Sequence, residues 1–193
     1  MLKMAKPDLL DIITPPPTHR DYIQCAIDSG VKAIICQKPF CNSLDEARQV
    51  AELSASAGVP VIVHENFRFQ PWYRVMKTAM DAGKIGDIHQ VTFRLRTGDG
   101  QGPEAYMDRQ PYFQQMPCFL VHETAVHWID TFRFLMGEPI EVYADLRRMN
   151  PAIAGEDAGY LVLGFGEEKR ALFDGNRHLD HAADDLRRTL GEC

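Results

Sequence analysis

With 193 residues, 45% of them hydrophobic, the chain can bury one full core, or one small domain and part of another. A formal charge of −6 without any Lys/Arg block argues against a nucleic-acid or anionic-membrane surface as the main partner and favours a small neutral or polar substrate. No apolar run approaches the roughly 20 residues that span a bilayer, and Met1 to Pro7 has no apolar signal core, so the expected location is the cytoplasm.

In chain order, residues 9–13 read as a strand that stops at Thr14-Pro15-Pro16-Pro17, where prolines forbid further pairing. Thr18 is the expected N-cap of a helix over 19–29, with Tyr22, Cys25 and Ala26 on one face and Gly30 closing it. Residues 33–36 form a short strand apolar on both faces, ending at Gln37-Lys38-Pro39. Ser43 and Glu46 spell a capping box for a helix that runs to Gly58. A third strand, 59–63, leads into His64-Glu65-Asn66, and a helix over 72–81 closes at Gly83. This alternation predicts a parallel sheet with right-handed crossovers, the second half of a doubly wound nucleotide-binding domain, with ligands at the carboxyl ends of its strands.

Beyond Gly86 the texture changes to longer strands over 88–96, 140–146, 160–165 and 170–174, interrupted by one long helix over 120–136. The fold class expected is therefore α/β plus α+β: a partial Rossmann-like domain over 1–86, then an open, mainly antiparallel sheet domain with a long helix over 87–193. Residues 97–117, with three glycines, three prolines, Tyr106, Tyr112 and Phe113, resemble a mobile binding loop. The odd set of cysteines, Cys25, Cys36, Cys41, Cys118 and Cys193, has no two-residue gap and reads as reduced thiols, Cys25 and Cys36 as small core residues.

Several residues could carry chemistry. Lys38, at the end of a buried strand, faces a partly desolvated cleft, where an ammonium titrates closer to neutrality and can serve as a general base; the competing reading is a surface lysine at a turn. Glu123 and His127, four apart on a helix, share a face, so the carboxylate can orient the imidazole for proton transfer, or the two form an ordinary helix-face pair. Asp130 could orient His127 as well, or be solvated. His122 and His127 are five apart and diverge on an α-helix, which argues against a zinc-protease site, and no metal is expected. His19, at a helix start, suits phosphate or ribose oxygens or a capping role. Asn66 and Arg68 suit cofactor amide or substrate hydroxyls, or close a turn, and Phe67, Phe69, Trp72 and Tyr73 read as interdomain core or a stacking platform.

Five pieces in order carry a family resemblance: Asp11 to Pro15 with His19; Cys36-Gln37-Lys38-Pro39; Asn66 to Pro71; Gly83-Lys84-Ile85-Gly86; and Glu123 to Asp130 with Gly137. The chain resembles the Gfo/Idh/MocA oxidoreductases, of glucose-fructose oxidoreductase and inositol dehydrogenase type, over essentially its whole length. The resemblance implies a Rossmann domain joined to a substrate-binding sheet domain that often mediates homo-oligomers, and hydride exchange between NAD or NADP and a hydroxyl-bearing carbon of a sugar, polyol or cyclitol. Lys38 would bind the reacting oxygen and act in proton transfer with His127 beside it, and Thr14, Pro15, His19, Gln37, Lys38 and Asn66 would lie along the cofactor. Arg68, Glu123 and His127 would meet a carbohydrate-like substrate. Three departures matter. Gln37 stands where the family usually has Glu, removing a charge beside Lys38. Glu123 stands where it usually has Asp. No Gly-x-Gly-x-x-Gly occurs, so the pyrophosphate loop is expected on strands outside this sequence. Residues 177–193 read as a polar connector, and the whole as part of a protein nearly twice as long. The competing readings are a non-catalytic oligomerisation module, and an NAD-dependent glycosidase that would release free sugar without net cofactor reduction.

Overall fold

The computed structural model describes residues 2–179 and 189–192 and divides into two compact units, Met1–Glu65 and Asn66–Cys193. In the first, a single helical turn α1 (Leu2–Ala5) precedes β1 (Leu9–Ile12), α2 (His19–Asp28), β2 (Ala33–Gln37), α3 (Leu44–Ala57) and β3 (Val61–His64). The strands pair in parallel in the order β1-β2-β3, with Ile12 opposite Cys36 and Gln37 opposite His64. Ile34 and Cys36 of the central strand are buried against Ile23 and Ala26 of α2 and Val50 of α3. Burial of each large aliphatic side chain there contributes roughly 1.5–3 kcal/mol.

Local signals behave as their chemistry dictates, with three adjustments. Ser43 Oγ accepts the Glu46 amide, but the Glu46 carboxylate takes the amide of Asn42 at 2.7 Å rather than that of Ser43, so the return arm of the cap is displaced by one residue. The Thr18 hydroxyl caps nothing. It donates within the turn before α2, to Thr14 Oγ1 or to Pro15 O, which lie 2.7 and 2.8 Å away. On α2 the buried face is His19, Ile23 and Ala26, spaced i, i+4, i+7. Cys25 is exposed rather than a core residue, because it lies about 100° around the helix from Ala26.

The second unit opens with a 3-10 turn, Phe67–Phe69, and α4 (Pro71–Asp81). The sequence reading assigned both to the first domain with a boundary at 86, whereas the chain divides at Glu65 because Phe67, Met76 and Met80 pack against the core of the second unit. That core joins Val91, Phe93 and Leu95 of β4 (Gln90–Arg96), Leu161 and Leu163 of β6 (Ala158–Gly164), and Ala171 and Phe173 of β7 (Arg170–Asn176) to the helical face Leu120, Trp128, Phe132 and Leu135. With β5 (Glu141–Arg147) and β8 (Thr189–Glu192) the sheet order is β5-β6-β7-β4-β8. Among the described residues of this sheet, the β4–β7 pair is parallel and the others antiparallel. Strand β8 lies in the stretch read as a connector: its backbone pairs with the edge of β4 that β7 leaves open. Cys193 lies outside the described residues.

Residues 97–117 are anchored rather than loosely held. Phe113 packs with Phe119 and Ile153 in a separate small core flanked by Tyr106, Tyr112 and Met116. Buried Asn150 donates to the carbonyls of Gly100 and Gly102 at 2.8 and 2.7 Å, and Gln114 donates to those of Pro103 and Ala105. Backbone oxygens that a wandering loop would leave to water are held by side chains here. Among the described residues, no helix is long and apolar enough to cross a membrane.

Candidate active site

In the first unit the carboxyl ends of the parallel strands bring Thr14 and Pro15, Gln37 and Lys38, and His64 to one edge of the sheet. Central position puts Lys38 directly after β2, half-buried, ahead of a cis peptide to Pro39. The Gln37 amide nitrogen donates to His64 Nδ1 at 2.7 Å, which leaves the ring proton on Nε2. This pairing ties the ends of β2 and β3; the sequence reading put His64 at the strand end without giving it a partner. His19 is fully buried, with its ring between the carbonyls of Thr14 and Phe40. Neither ring nitrogen is left over for a phosphate or ribose oxygen, so His19 stands behind these turns, where an inward-facing position on α2 must put it.

In the second unit the long helix is two helices in series. Residues Leu120–Ala125 form a π segment, in which the Val126 amide reaches back five residues to Val121 O, and α5 (Val126–Met136) continues it. The equal-pitch helix assumed from sequence is thus corrected at the turn that carries Glu123, which is 4% exposed. One turn on, the His127 ring stacks on Phe67 with centroids 3.9 Å apart and planes within 9°. Phe67 also meets Trp128 edge-on at 5.3 Å. A cavity of about 390 Å³ lies against this aromatic group, lined by Phe67, Trp72, Met76, Phe93, Trp128 and Leu135 among others. The aromatic residues after β3 therefore divide: Phe67 joins the core around His127, while Phe69 and Trp72 are largely exposed.

Arg68 and Asp130, which sequence reading assigned separately to substrate hydroxyls and to His127, bind one another. Arg68 Nε donates to Asp130 Oδ2 at 2.5 Å, and its terminal nitrogen donates to Oδ1 as well as to the Asp130 carbonyl. A guanidinium fork satisfied by one carboxylate is a rigid strut from the 3-10 turn to α5. Asn66 sits at the start of that turn, accepting the Phe69 amide with its carbonyl, and its side chain makes no capping bond.

Arg177 is the residue sequence reading missed. It is 9% exposed, donates to Asp99 through Nε at 3.2 Å and a terminal nitrogen at 2.5 Å, and donates to Thr124 Oγ1 at 2.9 Å. The rings of Tyr106, Phe113 and Phe119 surround its guanidinium at 4.8–5.4 Å. Burial opposes its charge, but the Asp99 carboxylate, joined by Tyr106 and Glu123, outweighs burial and holds the guanidinium more firmly protonated. Burial, and then the negative charge of Glu123, push the Tyr112 phenol up. A fixed cation beside the π segment is thus part of Glu123's surroundings. Partners 78 residues apart leave no local signature, and an Arg within a polar run carries none.

A parallel sheet with polar side chains at its strand ends, followed by a mixed sheet backed by the helical run 120–136, is a two-part α/β plus α+β architecture of the nucleotide-binding kind. Residues 1–65 match the family model described as "Oxidoreductase family, NAD-binding Rossmann fold", and residues 73–189 match that of the GFO/IDH/MocA C-terminal domain. The chain belongs to the GFO/IDH/MocA oxidoreductase family. It is 38% identical over 165 residues to the D-apiose dehydrogenase of Paraburkholderia graminis, covering 84% of this chain and 42% of that protein. It is 27% identical to the inositol 2-dehydrogenase of Rhizobium meliloti, covering 92% of this chain and 52% of that one. A solved oxidoreductase from Agrobacterium radiobacter, in complex with NAD+, L-tartaric acid and magnesium, superposes with a TM-score of 0.82 at 29% identity, over 95% of this chain and 52% of that structure. The chain spans about half the length of the relatives it matches.

Proposed function

We propose that this chain belongs to an NAD(P)-dependent dehydrogenase that oxidises a CH–OH group of a sugar, polyol or cyclitol. The observation that carries the reading is the position of Lys38, half-buried at the carboxyl end of the middle strand of a parallel sheet. The family assignment supports NAD or NADP as cofactor, and the dehydrogenase names of the relatives support the substrate class. At the strand ends, the Thr14 hydroxyl, the Gln37 amide and the Lys38 ammonium fit the amide-and-ribose end of such a dinucleotide, with Pro15 bounding them. His19 supports them from behind. A bound nicotinamide would supply the hydride acceptor.

The chain's own residues handle the proton. Lys38 holds the substrate oxygen and takes its proton as the carbonyl forms. In the second unit His127, its ring fixed by the stack on Phe67, is the other proton-handling group, with Glu123 one turn before it on the same helical run. Arg68 acts on the substrate through Asp130 and α5 rather than by direct contact. The outer face of the five-stranded sheet, with Tyr143 65% and Tyr160 50% exposed, is the homo-oligomer surface.

The test is NAD(P)-linked oxidation of D-apiose, myo-inositol and a panel of aldoses by the enzyme that carries this chain. Lys38→Ala and His127→Ala are each expected to lower kcat by about 10²–10⁴, while NADH binding, followed by fluorescence, survives His127→Ala. Turnover in the two variants equal to that of the parent removes the reading.

A further inference from the structure

Arg177 directly follows β7 and is fixed through both its backbone and its side chain. Its amide donates to the Asp157 carbonyl and its carbonyl accepts the Gly100 amide, each at 2.9 Å. Its Nε and one terminal nitrogen grip the Asp99 carboxylate, which also accepts the Thr97 hydroxyl. A planar guanidinium held this way has a preset direction for its remaining nitrogen. That nitrogen donates to Thr124 Oγ1 at 2.9 Å. The rings of Tyr106, Phe113 and Phe119 close around the guanidinium, and Thr124 is 8% exposed, so little of either partner is left for water to satisfy.

Asp99 alone answers the charge of Arg177. The bond to Thr124 has a different consequence, because Thr124 lies in the π segment Leu120–Ala125, next to Glu123 and three residues before His127. A helical threonine commonly turns its hydroxyl back on the carbonyl of the preceding turn. As an acceptor from Arg177, the Thr124 oxygen is tied to the end of β7. A π turn is a rare closure and has to be held from outside the helix. At its first residues Glu156 does this, taking the Leu120 amide with its carbonyl and the Val121 amide with its carboxylate. At Thr124 the hold is Arg177.

We infer that Arg177 is a positioning residue: through Thr124 it fixes the π segment that carries Glu123 and leads into His127. The negative charge of Glu123 is among the influences that keep the guanidinium protonated, which places the carboxylate within its electrostatic reach. Lysine, with one nitrogen and no planar fork, cannot reproduce the bonds to Asp99 and Thr124 together. That the hold serves turnover rests on the dehydrogenase reading above; the hold itself does not.

The test uses the enzyme that carries this chain. Thr124→Val removes the acceptor and keeps the branched shape, whereas Thr124→Ser keeps the hydroxyl. Followed by NMR, the Val126 amide, which closes the π segment, is expected to exchange about tenfold faster or more in Thr124→Val and at the parent's rate in Thr124→Ser. In NAD(P)-linked oxidation of the sugar and polyol panel, Thr124→Val is expected to lower kcat about tenfold or more with the KM for the cofactor unchanged, and Thr124→Ser to restore it. Arg177→Lys is expected to follow Thr124→Val in both measurements. Parent-like exchange at Val126 in Thr124→Val overturns the inference, and so does faster exchange with kcat unchanged, which would make the contact one of packing alone. Should Thr124→Val fail to fold, Arg177→Lys, which keeps a cation against Asp99, decides by the same two readouts. A parent enzyme without NAD(P)-linked turnover, together with faster Val126 exchange in Thr124→Val, removes the dehydrogenase reading and leaves the hold on the π segment standing.

Discussion

Cys36 and Cys41 flank the Gln37-Lys38-Pro39 turn and are both buried, whereas Cys25 and Cys118 are exposed. Burial in apolar surroundings is the first cause of the rise of the Cys36 thiol from 9.0 to about 12 and of the Cys41 thiol from 9.0 to about 11. Because the thiolate is the nucleophile, alkylation of the native protein near pH 8 should label Cys25 and Cys118 and spare the buried pair until the chain unfolds, as read by mass spectrometry. Labelling of Cys36 at the rate of Cys25 would contradict the burial. The same shift has a pH consequence. A thiol raised in the folded state is a stabilising contribution that is complete below pH 9.0 and lost as pH rises toward about 12, so stability should fall across that alkaline window. Residue by residue, what the sequence revealed was whatever local punctuation marks: Thr14-Pro15 and Lys38-Pro39 announce strand ends by themselves. What it hid was pairing at distance. Arg68 meets Asp130 across 62 residues and Arg177 meets Asp99 across 78, and nothing in either neighbourhood distinguishes a strut from a substrate-binding arginine.

Among the elements, the π segment shows how a correct outline can hide a local departure. Its apolar spacing signals a helix over 120–136, and a helix is there, but the five-residue closure at Val121–Val126 is enforced from outside. The Leu120 amide is taken by the Glu156 carbonyl and the Val121 amide by the Glu156 carboxylate, both from the loop before β6. Gly155, next in line, lets that loop approach: a Cβ there would lie 2.6 Å from Met116 O and 2.9 Å from Phe119 N, both backbone atoms that cannot swing aside. Gly155→Ala should therefore cost about 1–3 kcal/mol, seen as a lowered urea midpoint with unchanged slope. An unaltered midpoint would mean that the loop does not press on the helix entry. The anchored stretch 97–117 taught a similar lesson, since glycine, proline and aromatic content marks a loop equally well whether it is clamped by Asn150 or left to solvent.

Taken as a molecule, the chain combines a parallel sheet whose order follows the sequence with a mixed sheet whose order does not. The fold class was legible because the first sheet is built from neighbours and the second from strands of evident length. The strand order of the second was not, because β4 pairs with β7 across an excursion through two loops, the long helix and a hairpin. On its outer face Tyr143 lies opposite Val162, which in turn lies opposite Leu172. If that apolar row joins copies, Tyr143→Lys with Tyr160→Lys should lower the mass measured by light scattering to that of a single chain, without loss of helical circular dichroism. An unchanged mass would separate the row from assembly. The β4–β7 ladder also has a consequence for biosynthesis. Arg94 must wait 80 residues for Asp174, and at about 5–20 residues added per second that is roughly 4–16 s. Throughout that interval Val91, Phe93 and Leu95 have no β7 to pair with, so the nascent polypeptide offers a sticky, unfinished edge to chaperones before it can close.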